Sequence, residues 1–198
     1  MKLARRILLG LFLAVAAVVL VAWLHGANTR RGDAAYHATL LKTVLVTSND
    51  FPADGDIPVS FTCKGSGLSP ELSWKGSPAN VKSYALVVSD FDVPSPNFAF
   101  TSFTHWIVYN IAANQQTIRS AIKAAELRQA GMAVGTNSSG ERAYKPPCPP
   151  FGNHRYEFRV YALDVAHLQP ASDEGAALLE AMRGHILAYG ELVGLFAR

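Results

Sequence analysis

The stretch from Ile7 to Leu24, ILLGLFLAVAAVVLVAWL, holds no charged residue and reads as membrane-directed, with a buried core helix as the least favoured alternative. It follows a basic head with Lys2, Arg5 and Arg6 and precedes a second pair of charges, Arg30 and Arg31. About 18 consecutive apolar residues suffice to cross a bilayer and exceed the roughly 7–15 of a cleavable signal core. The residues ahead of Ala27 are Leu24, His25 and Gly26, which do not form a small-x-small cleavage site. Residues 1–25 therefore read as an uncleaved signal anchor, a transmembrane helix, with a cleaved signal peptide as the alternative. The first places the rest of the chain on the periplasmic side of a membrane; the second leaves it periplasmic or secreted. With charges on both flanks, the positive-inside rule gives only a mild vote for a cytoplasmic N-terminus.

Beyond the apolar run, residues 26–39 are polar and without period and read as a linker. Residues 40–198 then form one domain, which suits a 198-residue chain that is 49% hydrophobic and 17% charged. The net charge is +3, from 18 basic and 15 acidic residues, and five of the basic ones flank the apolar run. No basic stripe interleaved with aromatics follows, which argues against nucleic acid as the main partner. Cys63 and Cys148 suit either a disulfide, which an exported protein permits, or two buried thiols. No CxxC or His-x-x-x-His spacing supports a structural zinc, and no cofactor is expected.

The domain reads as mainly β. LLKTVLVTS (40–48), SYALVVSDFD (83–92), FTHWIVYNI (103–111) and RYEFRVYALD (155–164) are β-branched and aromatic runs separated by Pro/Gly loops. That pattern belongs to an antiparallel β-sandwich. Helix is expected at 172–196, where Ser172 is a candidate N-cap and Leu178, Leu179, Met182, Ile186 and Leu187 recur at helical spacing. AIKAAELRQAG (121–131) suits a helix or an ordered loop.

Polar residues gather where these strands begin and end. A hairpin joining 83–90 to 103–111 sets Asp90 and His105 at one end of a sheet, while His154 and Tyr156 share parity and so one face of a strand. Ahead of them, KPPCPP (145–150) forms a stiff extended wall, because proline fixes φ and removes backbone donors. A carboxylate, two imidazoles and a phenol beside a rigid wall describe a small polar pocket.

IPVSFTCKGSGLSPELSW, SDFDVP, FTHWIVYNI, YKPPCPPFGNHRYEFRVYALD and GHILAYGELVG occur in the order in which they are found in the phosphatidylethanolamine-binding protein (PEBP) family. The chain from about residue 43 onward resembles that family, in particular its bacterial Raf kinase inhibitor-like branch. The resemblance implies a PEBP-like sandwich of two antiparallel sheets with C-terminal helical elements and a cavity that binds phosphate-like anions or phospholipid headgroups. It also implies the ligand-binding residues: Asp90 and Asp92, Phe103, His105, Pro147, Pro149 and Pro150, His154 and Tyr156. Two positions depart from the family pattern, Phe91 within its Asp-Pro-Asp motif and Pro146 where a glycine is common.

The function expected from these residues is non-enzymatic binding, with a protein partner as a further expectation of unspecified identity. Asp90, His105 and His154 also form the two-histidine, one-carboxylate set that holds Fe(II), so a metal-dependent enzyme is the rival reading. A protease-inhibitor-like interaction module is a third. No G-x-S-x-G supports a serine hydrolase, and a domain outside the bacterial cytoplasm meets no Raf kinase.

Overall fold

A computed structural model describes residues 2–198. Helix α1 spans Lys2–His37. The strands that follow are β1 (Leu45–Thr47), β2 (Gly55–Asp56), β3 (Leu72–Lys75), β4 (Ser83–Val93), β5 (Thr101–Ala112) and β6 (Thr117–Ile118). After them come α2 (Ala124–Gln129), β7 (Ala133–Val134), β8 (Asn153–Leu163), α3 (Gly175–Met182) and β9 (Ile186–Ala197).

Two sheets pack face to face as a sandwich. The larger has the order β2-β9-β8-β4-β5-β7 and the smaller β1-β3-β6. All pairings between these strands are antiparallel except β2 with β9. In β4, Tyr84, Leu86 and Val88 face the smaller sheet and pack with Val46, Leu72 and Trp74, while Ala85 and Val87 face the other way, toward Leu178 and Met182 of α3. Burial on both faces explains why β4 reads as a continuous apolar run rather than an alternating one.

Two expectations need correction. The expected linker 26–39 is not irregular through most of its length, because α1 continues to His37. Gly26, Arg30, Asp33 and His37 recur on one helical face, and that face docks on the larger sheet. A Cβ on Gly26 would collide with the Ala99 carbonyl oxygen. Arg30 bonds the Asp92 carboxylate at 2.9 Å, Arg159 donates to Asp33 at 2.8 and 3.0 Å, and His37 Nε2 lies 2.8 Å from the Tyr161 hydroxyl. The stripe is polar, so apolar periodicity gave no sign of it.

The C-terminal segment 172–196 is also not one helix. Helix α3 starts after Glu174, not Ser172, and ends at Met182; Gly184 then turns the chain with φ of +77°. Residues 186–197 form β9, paired with β8 along its whole length. Ala188, Leu192 and Phe196 face the inter-sheet core, with Gly190 and Gly194 at the alternate positions between them. Those glycines hid the period-two pattern.

The docked turns of α1 should stabilise the domain. A hydrogen bond to a charged group is worth about 1.5–3 kcal/mol, so a chain beginning at Ala38 should melt at least about 4 °C below one beginning at Gly26. Equal melting temperatures would mean that residues 26–37 contribute no more than a tether.

Candidate functional site

The site is built where β4 ends and β5 and β8 begin. Asp90 pairs with Tyr156 of β8 and with Phe103 of β5, so all three side chains leave the larger sheet on the side facing the smaller one. His105 reaches that side through a one-residue bulge. Val88 pairs with Trp106, but Ser89 pairs with Thr104, leaving His105 as the extra residue. In a regular β5, His105 would share the face of Ile107 and Tyr109, under α3. The bulge turns it toward Tyr156, 5.1 Å away between ring centroids, and Phe103, 4.7 Å away.

These residues open into a cleft of about 320 Å³, closed on the far side by Pro146, Cys148, Pro149 and Pro150. A disulfide between Cys63 and Cys148 ties that wall to the loop before β3. The Cys63 amide also donates to the Pro147 carbonyl at 3.0 Å, which draws Pro147 out of the cleft. Pro146, the departure from the family pattern, lies in the lining instead.

Of the residues expected to bind ligand, Asp90, Phe103, His105, Pro149, Pro150 and Tyr156 line the cleft; Asp92, Pro147 and His154 do not. The His154 ring is wholly buried behind Asp90. Its Nδ1 donates to Asp90 Oδ2 at 2.7 Å, and its Nε2 points at the carbonyls of Phe151 (3.1 Å) and Pro94 (3.2 Å). With both nitrogens engaged, the ring positions Asp90. The Asp90–His105–His154 set therefore does not present three free ligands to one metal, and no group of potential metal ligands is clustered among the described residues. Asp92 is committed to Arg30 and to the Arg155 amide and guanidinium. Phe91 leaves its carbonyl to Arg30 and lies beneath Arg159.

The sequence reading missed Val93, Ser139, Lys145 and Cys148 in the lining. Lys145 is the most informative of these. Its amide donates to the His105 carbonyl at 2.9 Å, and His105 Nδ1 donates to the Lys145 carbonyl at 2.7 Å. Its position beside the proline run was the available signal.

The paired Nδ1 leaves His105 Nε2 buried with no hydrogen-bond partner, and the Tyr156 hydroxyl is in the same state. Burial, the largest cause, lowers the His105 pKa to about 4, so the ring is neutral with a bare Nε2 facing the cleft. Burial and then Asp90 push the Tyr156 pKa up, which keeps the hydroxyl a donor. The Asp90 pKa is raised by burial, against the lowering effect of its bonds from His154 and the Asp92 amide.

Comparison with known proteins identifies this architecture. The family model described as phosphatidylethanolamine-binding protein matches residues 47–197. The chain belongs to the phosphatidylethanolamine-binding protein family. A "UPF0098 protein" of Methanothermobacter thermautotrophicus is 42% identical over 145 residues, covering 73% of this chain and 92% of the relative. Another, from Chlamydia muridarum, is 42% identical over 151 residues, covering 76% and 97%. Among solved structures, the PEBP homolog CT736 of Chlamydia trachomatis superposes with a TM-score of 0.70 at 38% identity, covering 79% of this chain and 99% of that one. YbcL of E. coli, described as a new member of the mammalian PEBP family, gives 0.70 at 26% identity over the same shares. Helix α1 lies outside the residues matched to the family model.

The low pKa of His105 has a signed consequence. Between about pH 4 and 6.5 the unfolded chain binds a proton at this residue that the empty folded domain does not. Stability from this group is therefore complete above about pH 6.5 and is lost as pH falls toward 4, by on the order of 3 kcal/mol. Nitrogen NMR of the ligand-free chain should show a neutral, Nδ1-protonated ring down to about pH 4. A His105 titration midpoint near 6.5 would refute this.

Proposed function

We propose that this PEBP-family domain is a non-enzymatic receptor that takes a phosphate-like anion or phospholipid headgroup into the cleft, on the outer side of the membrane to which α1 anchors it. The observation that carries the reading is the pair of unpartnered buried atoms, His105 Nε2 and the Tyr156 hydroxyl, on one small cleft. A buried polar atom without a partner costs about 1–3 kcal/mol, and a ligand with several oxygens would recover that. Tyr156 donates directly. His105 donates from Nε2 after taking up a proton, or accepts from a ligand hydroxyl. Lys145 adds positive charge at the rim, and the mostly apolar proline wall strengthens each of these bonds by excluding water.

Binding rather than catalysis fits the arrangement, because Asp90, the carboxylate in the cleft, is already held by His154 and the Asp92 amide. The family description names a phospholipid, phosphatidylethanolamine, as a ligand. The anchor reading rests on α1, whose apolar part is long enough to span a bilayer and is exposed to its surroundings. Sequencing of the mature chain should find the original N-terminus; a start near Ala27 would replace the anchor with a cleaved signal.

Titration calorimetry of the full chain in dodecyl maltoside micelles tests the cleft. Tyr156→Phe should weaken phosphoethanolamine binding about tenfold without lowering the melting temperature, since the hydroxyl has no partner in the empty domain. His154→Ala should lower the melting temperature, because it leaves Asp90 buried and unpaired. Sulfate keeps its charge between pH 4 and 7, and its affinity should rise by up to about tenfold per unit as pH falls toward 4 while His105 takes up a proton. A Tyr156→Phe chain that binds phosphoethanolamine as tightly as the parent would refute the reading.

A further inference from the structure

The docked half of α1 fixes which end of the domain meets the membrane. Along the helix, Gly26 touches Ala99 and Phe100 at the tip of the β4–β5 hairpin. Arg30 reaches Phe91 and Asp92 at the level of the cleft. Asp33 and His37 reach Arg159 and Tyr161, further into the sheet. The apolar part of α1 therefore leaves the domain past the hairpin tip, at the end where the cleft lies. From Leu24 to Arg30, at the level of the cleft, is six residues, or roughly 9 Å of helix at 1.5 Å per residue. The headgroup layer of one leaflet is roughly 5–8 Å deep, so the cleft stands just above it.

The surface at this end is apolar where it projects. Phe98, at the hairpin tip, is 40% exposed, and Phe151, directly after the proline wall, is 70% exposed. The two segments adjoin: a Cβ on Gly152 would lie 3.1 Å from Pro96. Pro96, Asn97 and Ala99 share a surface hollow with Trp23 and Arg31 of α1. Trp at the end of an apolar span is characteristic of a membrane–water interface. Phe98 and Phe151 are thus continuous with the point where α1 would leave the bilayer.

We infer that the cleft end of the domain is a membrane-contact face: α1 acts as a rigid strut that presses Phe98 and Phe151 into the interface, and the cleft fills with lipid headgroups from that same leaflet. This rests on the anion-binding and anchor readings above and adds the source of the ligand. Free phosphate compounds have to compete with headgroups held beside the opening.

The test uses the full chain with Trp23→Phe to lower background emission. Trp is introduced in place of Phe98, Phe151 or, at the opposite end of the larger sheet, the exposed Gln115. In phosphatidylethanolamine vesicles carrying lipids brominated near the headgroup, the emission added at 98 and 151 should fall at least about twofold, and that at 115 should not change. The parent chain in those vesicles should show an apparent Kd for free phosphoethanolamine at least about tenfold weaker than in dodecyl maltoside micelles. Quenching no greater at 98 and 151 than at 115, or equal affinity in vesicles and micelles, overturns the inference. Absent binding in micelles with quenching intact overturns the ligand reading and its extension to headgroups, while leaving the contact face standing.

Discussion

A single extra residue in β5 organises the candidate site. Because Ser89 pairs with Thr104 while Val88 pairs with Trp106, the bulge changes the parity of β5 between the core and the cleft. On its core side, Trp106 and Val108 face the smaller sheet; on its other side, Phe103 and His105 take over that face. The same irregularity frees the His105 carbonyl to hold Lys145. The rim, the histidine and the aromatic wall all depend on this register shift.

Around that shift the polar residues divide into two layers. His105 and Tyr156 reach the cleft with unpartnered atoms. His154 and Asp92 stand behind them, with their hydrogen-bonding capacity spent on Asp90, the Arg side chains and backbone carbonyls. The layers answer to substitution differently: loss of a supporting group exposes a buried charge to an apolar surrounding, whereas loss of the Tyr156 hydroxyl removes a group that the empty domain leaves unsatisfied. The disulfide and the prolines keep the opposite wall fixed, so binding need not order it.

Helix α1 joins this site to its surroundings through charge. Arg159 is buried among Asp33, Glu157 and Glu191, and only one of those carboxylates comes from α1. The crowding is visible in Glu157, whose pKa burial raises to about 7, with Glu191 and Asp33 adding to the rise against the lowering effect of Arg159. Asp92 joins the helix to the site directly, accepting from Arg30 on α1 and Arg155 on β8. The acid motif of the family is thus used here to clamp the helix as much as to shape the cleft.

The sequence by itself determined the apolar run, the β-rich class, the family and the clustering of Asp90, Phe103, His105, Pro149, Pro150 and Tyr156. These follow from local composition, strand parity and motif order, which survive without knowledge of distant contacts. Only the tertiary structure decided that 26–37 is a docked helix, because its contacts are polar and glycine-mediated and leave no hydrophobic period. The same holds for β9, whose alternation is broken by Gly190 and Gly194, and for the Cys63–Cys148 bond between residues 85 apart in the chain. Strand parity placed His154 on the correct face but could not show that Asp90, Pro94 and Phe151 would occupy both its nitrogens. Nor could it show that a bulge would turn His105 into the cleft, since register is settled between strands and not within one.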